Sequence, residues 1–227
     1  MKRTIIAATL SLVLAACSSG PGGRAGGMPL KPAANPSAVI AAELAFARLA
    51  QEKGQWAAFR ATAAKDAEMF VPQRVKAADW LKGRAEPATA VKWQPHAVWS
   101  SCDGSYAVTR GGWVSPNASG SFATIWQRQN NGDYKWIADM SLTSDGPSRP
   151  PEMIAARVAE CKVRPSESGL VIRTDTDWRT AASRDGTLRW GTGVTTLGSR
   201  TISVSLWTGS GFETVVEHTV PAAAPAR

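Results

Sequence analysis

The chain has 227 residues, 44% of them apolar and 19% charged, with a formal charge of +8. With 20 Gly and 14 Pro, this is the make-up of one or two globular domains with a sizeable core, not of a disordered chain. No heptad run or fixed-period repeat is present, which excludes coiled coil and solenoid. Met1-Lys2-Arg3 is a short basic start, and Thr4 to Ala16 is almost wholly apolar. That succession is the pattern of a secretory signal over residues 1–16. The apolar run falls short of the roughly 20 residues that a membrane-spanning helix needs.

Leu14-Ala15-Ala16-Cys17 resembles a bacterial lipobox. The resemblance implies cleavage before Cys17, a diacylglycerol on its thiol and a further acyl chain, such as palmitate, on its amino group. Several chains on one residue anchor a protein stably, where a single chain does not. Ser18, not Asp, follows the cysteine, which resembles the default for outer-membrane sorting. The implied place is the cell outer membrane, lipid-anchored and facing the periplasm. Residues 17–36 are rich in Gly, Pro and Ser and read as a flexible tether. Their glycines lack the strand, helix and Gly-Lys-Ser/Thr ending of a phosphate loop. Removing residues 1–16 takes away two basic residues and no acid, so the formal charge falls to +6. No basic cluster or nucleic-acid motif is present, so nucleic acid is not an expected partner.

Two cysteines then remain, Cys102 and Cys161. In an oxidising compartment an even pair reads as a disulfide, contributing at best about 4 kcal/mol for a loop of this length. Two free, separately buried thiols are the alternative.

The mature chain opens with helical patterns. Asn35-Pro36-Ser37 is a helix start, and Val39, Ile40, Leu44, Phe46, Ala47 and Ala50 follow at spacings of three and four. Gly54 ends that helix, and Gln55 to Ala64 makes a second one carrying Trp56 and Phe59. Glu68 to Pro72 is a short strand, and Ala77 to Lys82 a short helix. Four strands follow at Val91–Trp99, Tyr106–Val114, Ser121–Arg128 and Tyr134–Ser141, rich in Trp, Tyr, Val, Ile and Thr. Asp103-Gly104 and Asn131-Gly132 mark hairpin turns between them. The predicted architecture is α+β, with the N-terminal helices covering an antiparallel sheet. Beyond Pro150-Pro151, Glu152 to Lys162 reads as an amphipathic helix on Met153, Ile154, Val158 and Cys161. Strands at Leu170–Thr174, Trp178–Ser183, Thr187–Val194, Arg200–Trp207 and Phe212–Thr219 complete a small β meander.

The order of Glu43, Phe46, Gly54 and Phe59, then Trp93, Pro95, Gly111-Gly112-Trp113, Ile125-Trp126-Gln127-Arg128 and Gly132-Asp133-Tyr134-Lys135-Trp136 with Asp139, resembles the nuclear transport factor 2-like superfamily. The likeness covers residues 37–145 and extends to SnoaL-like domains of unknown function. It implies a cone-shaped, curved antiparallel sheet with a pocket beneath the helices. It also implies a homodimer through the open sheet as the default. Residues 146–227, the helix and β meander, lie outside it.

Within such a pocket an enzyme needs a base and a donor for a developing oxyanion. The candidates are Asp139, His96 and Tyr106, with Asp66 behind them. Strand alternation places Ile137, Asp139 and Ser141 on one face and Tyr134, Trp136 and Ala138 on the other. If Ile137 faces inward, Asp139 does too, desolvated and with a raised pKa. Trp56, Phe59, Trp93, Trp126 and Trp136 are the expected pocket lining and core. The two histidines, His96 and His218, stand far apart, and no spaced His/Asp/Glu or Cys-x-x-Cys set suggests a metal; no cofactor is expected. The resulting expectation is a lipid-anchored envelope protein that binds a small apolar molecule or an envelope protein. An isomerase, dehydratase or cyclase working in the same pocket is the alternative. A partner of the cell wall, suggested by the ten Trp, comes third.

Overall fold

The computed structural model describes residues 32–144, 146, 149–166 and 176–222. The expected signal, Cys17 and most of the tether lie outside the described residues, as does the strand predicted at Leu170–Thr174. No described helix is long and apolar enough to cross a membrane.

Asn35 caps α1 (Pro36–Lys53): its side chain accepts the Ala38 N–H at 3.1 Å, and Pro36 occupies the first turn. Val39, Glu43, Phe46 and Ala50 form the buried stripe of α1. Gly54, at φ 101°, turns the chain straight into α2 (Gln55–Thr62). That helix has no side-chain cap of its own. Glu86 supplies one from outside, accepting the Trp56 and Ala57 N–H groups at 2.7 and 2.8 Å and pairing with Arg60 at 3.1 Å. A Cβ on residue 54 would stand 2.6 Å from Glu86 Cδ, so glycine serves both the turn and this cap.

β1 (Ala63–Phe70), β2 (Arg74–Lys76) and α3 (Ala77–Leu81) follow. Then β3 (Lys92–Ser100), β4 (Tyr106–Val114), β5 (Ser119–Arg128) and β6 (Tyr134–Ser144) run as an antiparallel meander. With β7 (Ala155–Val158) they form an open seven-stranded sheet, ordered β2-β1-β6-β5-β4-β3-β7. Two expectations change. The sheet is mixed, not antiparallel throughout, because β1 runs parallel to β6 and β7 parallel to β3. The amphipathic helix predicted from Glu152 to Lys162 is instead extended: Ala155–Val158 pairs along β3, and Met153 is exposed. The open backbone edge of β3, and the Ala159 N–H that bonds Ser100 O at 2.9 Å, offset the helical periodicity of this short run.

β8 (Asp177–Ala182), β9 (Leu188–Val194), β10 (Arg200–Trp207) and β11 (Phe212–Val220) form a separate antiparallel sheet, ordered β11-β10-β9-β8. The seven-stranded sheet therefore has two cores. Towards the helices, Phe46, Phe59, Trp126 and Trp136 pack with Val39 and Ala50. On the other face, Val108, Ile125 and Met140 meet Leu188, Ile202 and Leu206 of the second sheet. The face through which a homodimer was expected is thus occupied by the chain's own C-terminal sheet.

That sheet is fastened at two places. Cys102 and Cys161 form a disulfide with Cα atoms 5.5 Å apart, and the Cys102 N–H donates to Thr187 Oγ1 at 2.9 Å. The Asp103 N–H beside it donates to Asp185 Oδ2 at 2.8 Å. At the other end, the buried Arg74 guanidinium donates to Glu68 at 2.6 Å, to Asp177 Oδ2 at 2.9 Å and to Thr192 Oγ1 at 2.7 Å.

Candidate functional site

Between the helices and the seven-stranded sheet lies a cavity of about 140 Å³. Phe46 and Phe59 from the helices, Trp93, Trp113 and Phe122 from the sheet, and Val91 make most of its wall. Trp113 lies flat against the backbone of β5: a Cβ on Gly120 would stand 2.7 Å from its indole ring. The indole N–H groups of this wall are already committed, Trp113 to Ser121 O at 3.2 Å and Trp93 to Glu43 Oε1 at 2.8 Å. Val91 is strapped to the helices by two glutamines. Gln55 Oε1 accepts its N–H at 3.0 Å, and Gln51 Nε2 donates to its carbonyl at 2.8 Å. The polar groups left on the wall are the Gln55 amide N–H₂, Ser141 and Asp139.

Asp139 comes from β6, and a bulge aims it. Trp126 pairs with Trp136 and Ile125 with Ala138, so Ile137 is the extra residue. The bulge moves Asp139 to the face of Trp136, while Ile137, Ala138 and Met140 turn towards the second sheet. Sequence alternation puts Asp139 on the face of Ile137, whereas the structure puts it on the face of Trp136. Thr124, its cross-strand neighbour, donates to Asp139 Oδ2 at 2.8 Å. Oδ1 takes no hydrogen bond among the described residues. Part of Asp139 opens into the cavity, but the carboxyl lies deep in the protein, and burial pushes its pKa up to about 6 against the Thr124 hydrogen bond.

A second acid stands behind the wall. Glu43 of α1 is fully buried and accepts from Trp93 Nε1 at 2.8 Å, Thr109 Oγ1 at 2.6 Å and Trp126 Nε1 at 3.1 Å. Burial outweighs these three donors and, with a smaller contribution from the charge of Asp139, raises its pKa to about 7. No Lys or Arg pairs with either carboxyl among the described residues. Glu43 is a buried acid that the sequence reading does not name as a candidate. Its signal is position: an acid four residues after Val39 and three before Phe46 sits in the apolar stripe of the helix.

The other expected residues scatter. His96 stands in the bulge of β3 by a separate surface depression, its pKa lowered by burial and by Arg110. Tyr106 is on the opposite side of the sheet, accepting from Gln127 Nε2 at 2.9 Å, and Asp66 is exposed on β1 near it. Neither reaches Asp139's cavity. Of the expected lining, Phe59 and Trp93 are on the wall, Trp126 and Trp136 are buried behind it, and Trp56 packs on the outer side against Phe59 and Trp80. No group of three or more His, Cys, Asp or Glu among the described residues is arranged to hold a metal ion.

No family model matches the chain, and no curated protein matches it. Among solved structures, the chain is similar to the crystal structure of a "putative ketosteroid isomerase" from Kribbella flavida DSM 17836. The two share 14% identity over 52% of this chain and 86% of that one, with a TM-score of 0.36. The likeness is too slight to carry an argument.

Proposed function

We propose that the cavity beneath the helices binds a small, mainly apolar molecule whose single polar end meets Asp139. The carrying observation is the wall itself: aromatic side chains whose N–H groups are used up, with a carboxylate oxygen of Asp139 open beside the Gln55 N–H₂ and Ser141. At about 140 Å³ the space matches an apolar cavity of about 150 Å³ that admits benzene, so the fitting ligand is of single-ring size. Above pH 6 the carboxylate selects a ligand carrying a hydrogen-bond donor or a cation. Trp93 and Trp113 report occupancy by fluorescence. Titration with phenol, indole and toluene should saturate. Asp139→Asn should weaken phenol about tenfold, the effect of one lost charge-assisted hydrogen bond, and leave toluene unchanged. Equal effects on both would end this reading.

The proposal places the molecule in the envelope, exported by residues 1–16 and anchored through Cys17 at the outer membrane. The basic-then-apolar start and Leu14-Ala15-Ala16-Cys17 support it. Labelling of cells with a palmitate analogue should mark the chain, and Cys17→Ser should abolish the label. An enzymatic reading rests on the raised pKa of Asp139, which suits a general base near neutral pH. It predicts Asp139-dependent exchange in D₂O of a proton next to the carbonyl of a bound ketone, followed by NMR.

A further inference from the structure

A second, larger cavity of about 490 Å³ opens between the two sheets, on the opposite side of β6 from Asp139. Its walls differ in kind. Tyr106 and Trp190 meet edge to face at 6.1 Å and form an aromatic corner. Among the described residues the Trp190 indole N–H takes no partner, and it is itself closed to the cleft, so the ring contributes apolar surface and no donor. The Tyr106 oxygen accepts from Gln127, and its own O–H has no partner among the described residues. Burial raises its pKa, so it stays a donor. Gln129 spends its N–H₂ on Gln127 O at 3.0 Å, which leaves its carbonyl as an acceptor. Charge on the rim is balanced: Lys65 stands beside Asp66, and Arg179 is ion-paired to Glu68.

We infer that this cleft is a saccharide-binding site. An aromatic corner, planar amides, and donors interleaved with acceptors fit a ring whose faces are C–H and whose edges are hydroxyls, each both donor and acceptor. The absence of net charge on the rim favours a neutral polyol over an anion or a cation. The volume falls within the usual range for ligand sites and admits a disaccharide. The proposal does not depend on the reading of the smaller cavity, since no residue lines both.

The test is saturation-transfer NMR on the full-length chain carrying Cys17→Ser. The probes are N-acetylglucosamine and its β-1,4-linked disaccharide for a cell-wall source, and glucose and maltose for free sugars. Saturable binding of one pair is expected and names the source. Gln129→Ala and Asp66→Ala, both at the rim and outside the core, should each weaken it about fivefold, the effect of one hydrogen bond. Binding should persist at 0.5 M NaCl and with phenol saturating the smaller cavity. No saturation transfer from any probe, wild-type affinity in both rim variants, loss of binding in salt, or competition by phenol would each overturn the assignment.

Discussion

On the helix side of the seven-stranded sheet, Glu43 and Asp139 are buried among hydrogen-bond donors with no cation beside them among the described residues. On the side of the second sheet, Glu68 and Asp177 meet Arg74 and Arg179, and the resulting ion pairs fasten one sheet to the other. The two faces of one β-sheet thus meet acids in two states. Where the task is docking, charge is neutralised by a partner. Beneath the helices, burial without a neighbouring cation among the described residues raises both carboxyls towards neutrality. The same comparison extends to titration. His218 on β11 faces the second core, and burial, with help from Arg110, lowers its pKa to about 4. The two faces therefore respond to pH with opposite sign.

The largest effect should come from removing the fastening. Arg74→Met leaves Glu68 and Thr192 without their buried donor, and should cost about 3 kcal/mol in urea unfolding at pH 7. Next come the opposed titrations. A carboxyl raised from 4.5 to about 7 binds more protons folded than unfolded, so its stabilising effect is complete below pH 4.5 and is lost as pH rises to 7. For Glu43 the full swing is about 3 kcal/mol. His218 binds fewer protons folded than unfolded between pH 4 and 6.5, so it opposes stability as pH falls through that window. Subtracting the pH–stability curve of Glu43→Gln from the wild type should leave a downward slope, and that of His218→Gln an upward one. Two slopes of the same sign would break the comparison. A smaller effect is expected at the helix cap. Glu86→Ala frees two N–H groups of α2 and should cost about 1 kcal/mol by thermal denaturation. Smallest is the exposed pair Arg157–Glu213, where Arg157→Ala should leave the denaturation midpoint unchanged.

Much of this was legible in the chain. The hairpin strands β4 and β10 begin and end at the predicted residues, because Asp-Gly and Gly-Ser-Gly turns bracket β-branched and aromatic runs. What escaped depends on contacts distant in sequence. Residues 152–162 have helical spacing, but a vacant edge on β3 and a bond to Cys102 decide their form. The parallel pairing of β1 with β6 joins segments about 70 residues apart. Alternation puts Asp139 with Ile137, yet its direction is set by a bulge at Ile137, and a one-residue insertion exchanges the faces of everything after it. Glu43 was visible as an acid in an apolar stripe. Its raised pKa comes from burial that outweighs three donors from β3, β4 and β5, with no cation beside it among the described residues, and a helix wheel contains none of these.

The carbonyl of Cys102 accepts the N–H groups of both Ala33 and Ala34, at 2.9 and 3.0 Å. Any pull that reaches the protein along its N-terminal segment is therefore delivered first to the turn at Cys102, ahead of α1. That turn is joined covalently to Cys161 and by hydrogen bonds to Thr187 and Asp185, so the load divides at once between the two sheets. The segment ends on the molecule as a rope ends on a cleat: the helix that roofs the smaller cavity stands downstream of the fastening and outside the path of the force.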